Sequence, residues 1–140
     1  MKPLTVDASV VVKWFLPERG EASTDRAMDL LAGIRRGEIR VVQPPHWIAE
    51  VTAVLARLSP GTAPRDAADL VDLGFVILDL PAVYIGACRI AVLLDAHVFD
   101  TLYHAVAVET DGCILVTADD RYYRKARGLG SIALLSRWSP

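Results

Sequence analysis

Cys113-Ile114-Leu115-Val116-Thr117-Ala118-Asp119-Asp120 is the stretch on which the reading of the fold turns. Cys113 to Val116 is compact, apolar and of strand length, and it lies between the Asp111-Gly112 turn and Thr117. Working outward, Asp120 to Arg127 reads as a short basic helix and Ile132 to Leu135 as a last strand. Before the turn, Phe99 to Thr110 reads as a helix, and Pro81 begins another that runs to about Leu94. Val76 to Leu78 is a short strand and Pro64 to Leu73 a helix. Pro44 and Pro45 open a helix to about Leu58, since proline is tolerated in a first turn, and Ser59-Pro60-Gly61 ends it. Arg40 to Val42 reads as a second strand. Glu21 to Arg36 carries Ala27, Leu30, Leu31 and Ile34 at helical spacing, with Gly37 as its stop. Glu18-Arg19-Gly20 reads as loop. Ala8 to Leu16 is a short helix that Pro17 stops, and Leu4 to Val6 is a first strand. Short β-branched runs alternating with helical patterns predict α/β layering around a mostly parallel sheet.

The chain has the size of one domain over residues 1–140, and it is long enough to bury a core without staples. At 53% hydrophobic and 23% charged residues, it has the composition of a folded chain. Cys88 and Cys113 lack metal-ligand spacing and read as small core hydrophobes. No secretory segment is visible, and no apolar run approaches the roughly 18 residues that a spanning helix needs. The expectation is a cytoplasmic protein that does not enter the membrane. Fifteen basic and seventeen acidic residues give a net charge of -2, which is not the strongly basic balance of a generic nucleic-acid binder. If four of the acids form a metal site, the remainder of the chain carries +2.

Two acids stand just past the carboxyl ends of apolar strands: Asp7 after Leu4-Thr5-Val6, and Asp119 after Val116-Thr117-Ala118. In an open parallel sheet, ligands bind in the crevice beyond those ends. Two carboxylates there would repel each other, and a hard divalent cation would relieve the repulsion. Glu50, in Trp47-Ile48-Ala49-Glu50-Val51, and Asp100, in Val98-Phe99-Asp100-Thr101-Leu102, sit in otherwise apolar helical contexts. Each acid also has a bland reading: Asp100 as a helix cap, Glu50 as a polar helix edge, Asp7 as a turn residue, Asp119 as a cap. Pattern alone leaves the two readings open.

Those same residues carry a resemblance. Val6-Asp7-Ala8-Ser9-Val10-Val11-Val12-Lys13-Trp14-Phe15-Leu16-Pro17-Glu18 resembles the opening of PIN-domain toxins of the VapC type. Pro44-Pro45-His46-Trp47-Ile48-Ala49-Glu50-Val51, Phe99-Asp100-Thr101-Leu102-Tyr103-His104-Ala105-Val106-Ala107 and Leu115-Val116-Thr117-Ala118-Asp119-Asp120-Arg121-Tyr122 resemble the segments that carry the family's other acids. The four segments occur in the family's order over essentially the whole chain. The resemblance implies a three-layer α/β/α domain with about five strands, and a Mg²⁺- or Mn²⁺-dependent endoribonuclease. It implies Asp7, Glu50, Asp100 and Asp119 as catalytic and metal-binding residues, with Ser9 and Thr117 as supporting hydroxyls. It also implies a homodimer and an antitoxin that lays a peptide across the cleft. Asp120 could substitute for its neighbour or add charge; Asp95 and Asp111 read as loop acids.

Arg121, Arg124 and Lys125 directly follow Asp119, and with their neighbouring tyrosines they are candidate RNA contacts; a solvated face is the alternative. Arg35, Arg36 and Arg40 form a second basic group, read as an ordinary face. Trp14, Phe15, Trp47 and Ile48 are candidates for a partner surface or for the core. Ser9 could also cap the helix after Asp7. His104 lies one helical turn past Asp100 but reads as a packed or surface histidine. No Gly-rich phosphate loop and no Ser/His/Asp nucleophile is readable. A DNA-directed or structure-specific nuclease with the same acidic site, and a PIN-like binding module with weak chemistry, are the competing readings.

Overall fold

The computed structural model describes residues 1–20 and 22–140. The strands are β1 (Lys2–Val6), β2 (Ile39–Gln43), β3 (Val76–Ile77), β4 (Ile114–Thr117) and β5 (Ile132–Leu134). The helices are α1 (Ala8–Phe15), α2 (Thr24–Arg35), α3 (Trp47–Leu58), α4 (Ala63–Asp72), α5 (Pro81–Leu94), α6 (Val98–Glu109) and α7 (Asp120–Ala126). One sheet, ordered β3-β2-β1-β4-β5, holds the strands, and each neighbouring pair runs parallel. The chain winds outward from β1 through β2 to β3, crosses back to β4, and continues to β5. Because parallel crossovers are right-handed, the two winding senses place α1–α4 on one face and α5–α7 on the other. Leu4 and Val6 of β1 and Leu115 and Val116 of β4 are buried accordingly, in the middle of a three-layer α/β/α stack. Strand order reverses between β1 and β4, so the crevice expected of a doubly wound sheet opens beyond Val6 and Thr117.

The β1–β2 ladder registers Lys2, Pro3 and Leu4 with Ile39, Arg40 and Val41. Past that register, side chains bridge the strands. Thr5 Oγ1 donates to the Val42 carbonyl at 2.9 Å. The fully buried Gln43 amide then imitates a strand residue: Val6 N–H donates to its Oε1, and its Nε2 donates to the Val6 carbonyl, both at 2.9 Å. Asp7, the next residue, donates its own N–H to the Val116 carbonyl of β4 at 3.0 Å. The end of β1 is thereby fixed from both sides just where the first acid leaves the sheet.

Several expectations change. The third helix begins at Trp47, not at Pro44: Pro45 disfavours helical geometry at Pro44, and the two prolines instead form a turn closed by Trp47 N–H on the Pro44 carbonyl at 3.3 Å. The second helix begins at Thr24, and Glu21 lies outside the described residues. Pro17–Arg19 is a 3₁₀ turn that ends at Gly20 in the left-handed region, φ 64°. Cys88 is exposed, because α5 buries Val83, Ala87 and Ala91 at four-residue spacing and turns Cys88 away; Cys113 is buried. Trp14 and Trp47 belong to the core and not to a partner surface: both pack on Phe75, and Trp14 Nε1 donates to the Ala27 carbonyl at 2.8 Å. Phe15 and Ile48 are partly buried against the same cluster. No helix among the described residues is long and apolar enough to cross a membrane.

Gln43→Met keeps the side-chain volume but leaves a buried N–H and a buried carbonyl of Val6 without partners. Each such loss costs about 1–3 kcal/mol. Urea unfolding is expected to show a loss of about 2–4 kcal/mol with unchanged m-value.

Candidate functional site

Asp7 is the N-cap of α1. Its Oδ2 accepts the Ser9 N–H at 3.1 Å, the Ser9 hydroxyl, and the Thr117 hydroxyl at 3.4 Å. Asp119 is the N-cap of α7, with its Oδ1 accepting the Tyr122 N–H at 3.0 Å. Glu50 and Asp100 lie in the first turns of α3 and α6. All four acids therefore stand at helix N-termini, where unpaired N–H groups and the helix dipole favour negative charge. Asp7 and not Ser9 caps α1. Asp119 fills the cap expected of it and Asp7 caps α1 in place of the expected turn role, while Asp100 and Glu50 lie in first turns whose N-caps are His97 and His46.

The hydroxyls stitch the site to the sheet. Ser9 Oγ accepts the Ala118 N–H at 3.0 Å, and Thr117 Oγ1 accepts the Asp119 N–H at 3.1 Å. The loop after β4 and the cap of α1 are thus one hydrogen-bonded unit, which ties Asp7 to Asp119 through two side chains. Glu50 is held separately. The hydroxyl of fully buried Tyr103 donates to its Oε1 at 3.0 Å, and His46 Nε2 lies 3.6 Å from its Oε2. Tyr103 is a positioning residue that sequence reading missed. Its signal was a tyrosine three residues after Asp100, on the buried face of an apolar helix, where a hydroxyl requires a partner.

The charges act on one another. Burial, together with Glu50 and Asp100, pushes the Asp7 carboxyl up to about 6, against the pull of the Ser9 hydrogen bonds. Burial, then Glu50 and Asp119, raises Asp100, while His97 and His46 oppose the rise. The phenols of Tyr103 and Tyr122 are likewise raised, first by burial and then by these carboxylates. The four acids thus share one electrostatic field. No group of three or more His, Cys, Asp or Glu closes into a metal cage among the described residues. The donor set is hard oxygen, mutually repelling and open, which fits a hydrated divalent ion that takes few protein ligands.

Asp100 and Asp119 line a cleft of about 290 Å³ together with Asp95, Ala96, His97, Arg121, Tyr122 and Lys125. Arg121 and Lys125 therefore border two of the acids, whereas Arg124 is exposed and does not line the cleft. Asp120 is exposed and lies outside the cleft lining. Asp95, expected as a loop acid, ends α5 in the left-handed region, lines the cleft, and accepts Lys125 Nζ on its carbonyl at 2.9 Å. Arg36 instead pairs with Glu38 at 2.8 Å. His104 is fully buried, and neither of its ring nitrogens bonds one of the four acids. Its Nε2–H donates to the Gly130 carbonyl at 2.8 Å, and the Tyr122 hydroxyl donates to its Nδ1 at 3.0 Å. Burial lowers its pKa, in keeping with a neutral ring.

The PIN domain family matches residues 4–128 of this chain. Among solved structures, a crystal structure of PAE2754 from Pyrobaculum aerophilum superposes with a TM-score of 0.62 at 23% identity, over 96% of this chain and 90% of that one. That likeness is one of fold. No curated protein is similar enough to match.

A carboxyl raised to about 6 in the folded protein, against its ordinary 3.8, binds its proton sooner folded than unfolded. Ionised Asp7 therefore weakens the metal-free fold above pH 6, and the penalty fades as pH falls through 6 towards 4. Asp7→Asn, which keeps a good cap without the charge, is expected to raise the thermal midpoint in EDTA at pH 8. The difference should shrink towards zero by about pH 4.

Proposed function

The chain belongs to the PIN-domain family, whose fold is that of metal-dependent nucleases, and we propose that it is a Mg²⁺-dependent endoribonuclease of the VapC type, the toxin of a toxin–antitoxin module. The observation that carries this reading is the meeting of Asp7, Glu50, Asp100 and Asp119 in one field beyond the β1–β4 switch point. Repulsion among acids in a cleft is relieved by a cation, and a phosphodiester is a substrate whose reaction uses one.

Asp7, Asp100 and Asp119 would hold Mg²⁺ or Mn²⁺, with Glu50 as a fourth ligand or as the group that orients water. Such an ion, when bound, stabilises charge on the phosphate and lowers the pKa of a bound water. The protein's own part is positioning. Ser9 and Thr117 present Asp7 with one oxygen already engaged. Tyr103 engages Oε1 of Glu50. Arg121 and Lys125, on the cleft wall beside Asp100 and Asp119, attract the phosphates of the strand that lies in that cleft. A surface this close to neutral overall needs such a local basic wall to draw in RNA.

The partners are an RNA substrate, a cognate antitoxin protein and a second copy of the chain. Ile85, Val92 and Leu93 of α5 expose apolar surface, which supports a protein contact there.

Purified protein is expected to cut single-stranded RNA in Mg²⁺ and not in EDTA. Removing an outer support of a metal ligand already costs 10–100-fold, so Asp100→Asn, which removes a ligand charge, should lose more than about 100-fold. Full activity in excess EDTA would sink the reading, and cleavage of DNA in preference to RNA would reassign the substrate.

The toxin role makes a separate prediction. Expression of the wild type alone is expected to arrest growth, whereas Asp100→Asn is tolerated and co-expression of the antitoxin restores growth. Harmless expression of protein that is active in vitro would refute the toxin role and leave the nuclease.

A further inference from the structure

Phe99 stands beside Asp100 in the first turn of α6, and 64% of it is exposed. A lone exposed phenylalanine is ordinary surface. This one is built differently. The His46 imidazole covers one face of the ring, with centroids 5.5 Å apart and planes 23° apart. His46 is itself fixed: its Nε2–H donates to the Phe99 carbonyl at 2.8 Å, and its ring packs on buried Tyr103 at 4.9 Å. Phe99 is thus a mostly exposed ring stacked on an imidazole that is itself hydrogen-bonded and packed. With His46, Ala49, Glu50 and Ala53 it lines a groove of about 310 Å³. The alanines leave the groove open above the ring. Glu50 lines this groove and also acts on the charge of Asp7 and Asp100, so the groove borders the acidic field. Arg121 and Lys125 lie in the other cleft, which shares Asp100 and Asp119.

We propose that Phe99, backed by His46, is a stacking platform for the base of a nucleotide next to the bond that is cut. The inference rests on the nuclease reading and narrows it to a substrate unpaired at that nucleotide. The strand runs from the basic cleft, which takes its phosphates, across the acids to the aromatic groove, which takes a base. Every base presents a π-face, so the platform adds affinity with little sequence preference. A paired base keeps its faces in the duplex stack and cannot lie on the ring. A protein segment is the other conceivable occupant. The groove's border on Glu50, and the basic residues beside Asp100 and Asp119 in the neighbouring cleft, favour a ligand that alternates anionic and planar apolar groups.

The test uses single-stranded RNA carrying 2-aminopurine, titrated in EDTA so that no cleavage occurs. Wild type and Phe99→Trp are expected to quench the fluorophore and to bind alike. Phe99→Leu keeps apolar bulk but loses the π-face, and it should bind about tenfold more weakly without the quench. Thermal midpoints check that each variant is folded, which an exposed position allows. Undiminished binding and quenching by Phe99→Leu overturn the platform, as does a Phe99→Leu protein that loses only a co-purifying protein partner while keeping its RNA affinity. In both cases Mg²⁺-dependent cleavage by the wild type leaves the nuclease reading standing. A wild type that neither cuts nor binds RNA overturns both.

Discussion

Four carboxylates that repel one another are held at four helix N-termini, and the rest of the structure can be understood as the means of keeping them there. In a parallel sheet, a helix that follows a strand begins at the sheet's carboxyl edge. Asp7 and Asp119 therefore cap α1 and α7 directly beyond β1 and β4, while Glu50 enters on α3 after β2. Asp100 arrives on α6 from the layer across the sheet. Each helix start favours a negative charge by about 0.3–1 kcal/mol when exposed, and more when partly buried. That support offsets part of the repulsion without neutralising the charges, and the carboxyls of Asp7 and Asp100 are raised, first by burial and then by the neighbouring acids. The fold tolerates an acidic field that a cation can complete.

Holding the field also takes polar side chains around it. Gln43 and Thr5 bridge β1 to β2 past their shared register, so β1 stays fixed up to the residue before Asp7. Ser9 and Thr117 lock the loops after β1 and β4 to each other. Tyr103 holds Glu50 in a similar way from another helix. Buried hydrogen bonds of this kind contribute modestly to net stability, but breaking one strands its partner. Their effect is to define where the carboxylates point.

The alternation of elements was legible in the sequence because short apolar runs and helical spacing reflect burial that is local in the chain. All five strands and all seven helices lie where that alternation puts them, with ends shifted by a few residues. The shifts have local causes, such as the restriction that Pro45 places on Pro44. Cys88 shows the limit of reading a residue by its type. It lies in a largely apolar stretch broken by Arg89, but the period of α5 turns it outward while Val83, Ala87 and Ala91 face inward, where α5 packs on α6. Trp14 and Trp47 could be surface or core by pattern, and it is the distant Phe75 between them that makes them core.

The sequence by itself determined the α/β alternation and the four acids as the residues to examine, while the two hydroxyls beside them were implied by the family resemblance. The alternation and the acids depend on strand ends, helix starts and short spacings, which are properties of neighbouring residues. Only the tertiary structure decided that the acids repel one another. It also decided that Tyr103 reaches Glu50, that Asp95 and Lys125 share a cleft wall with Asp100, and that His46 backs Phe99. Each of these joins residues brought together by the order of the strands. That order is set by right-handed crossovers and the packing of whole layers, and no local stretch of sequence encodes it.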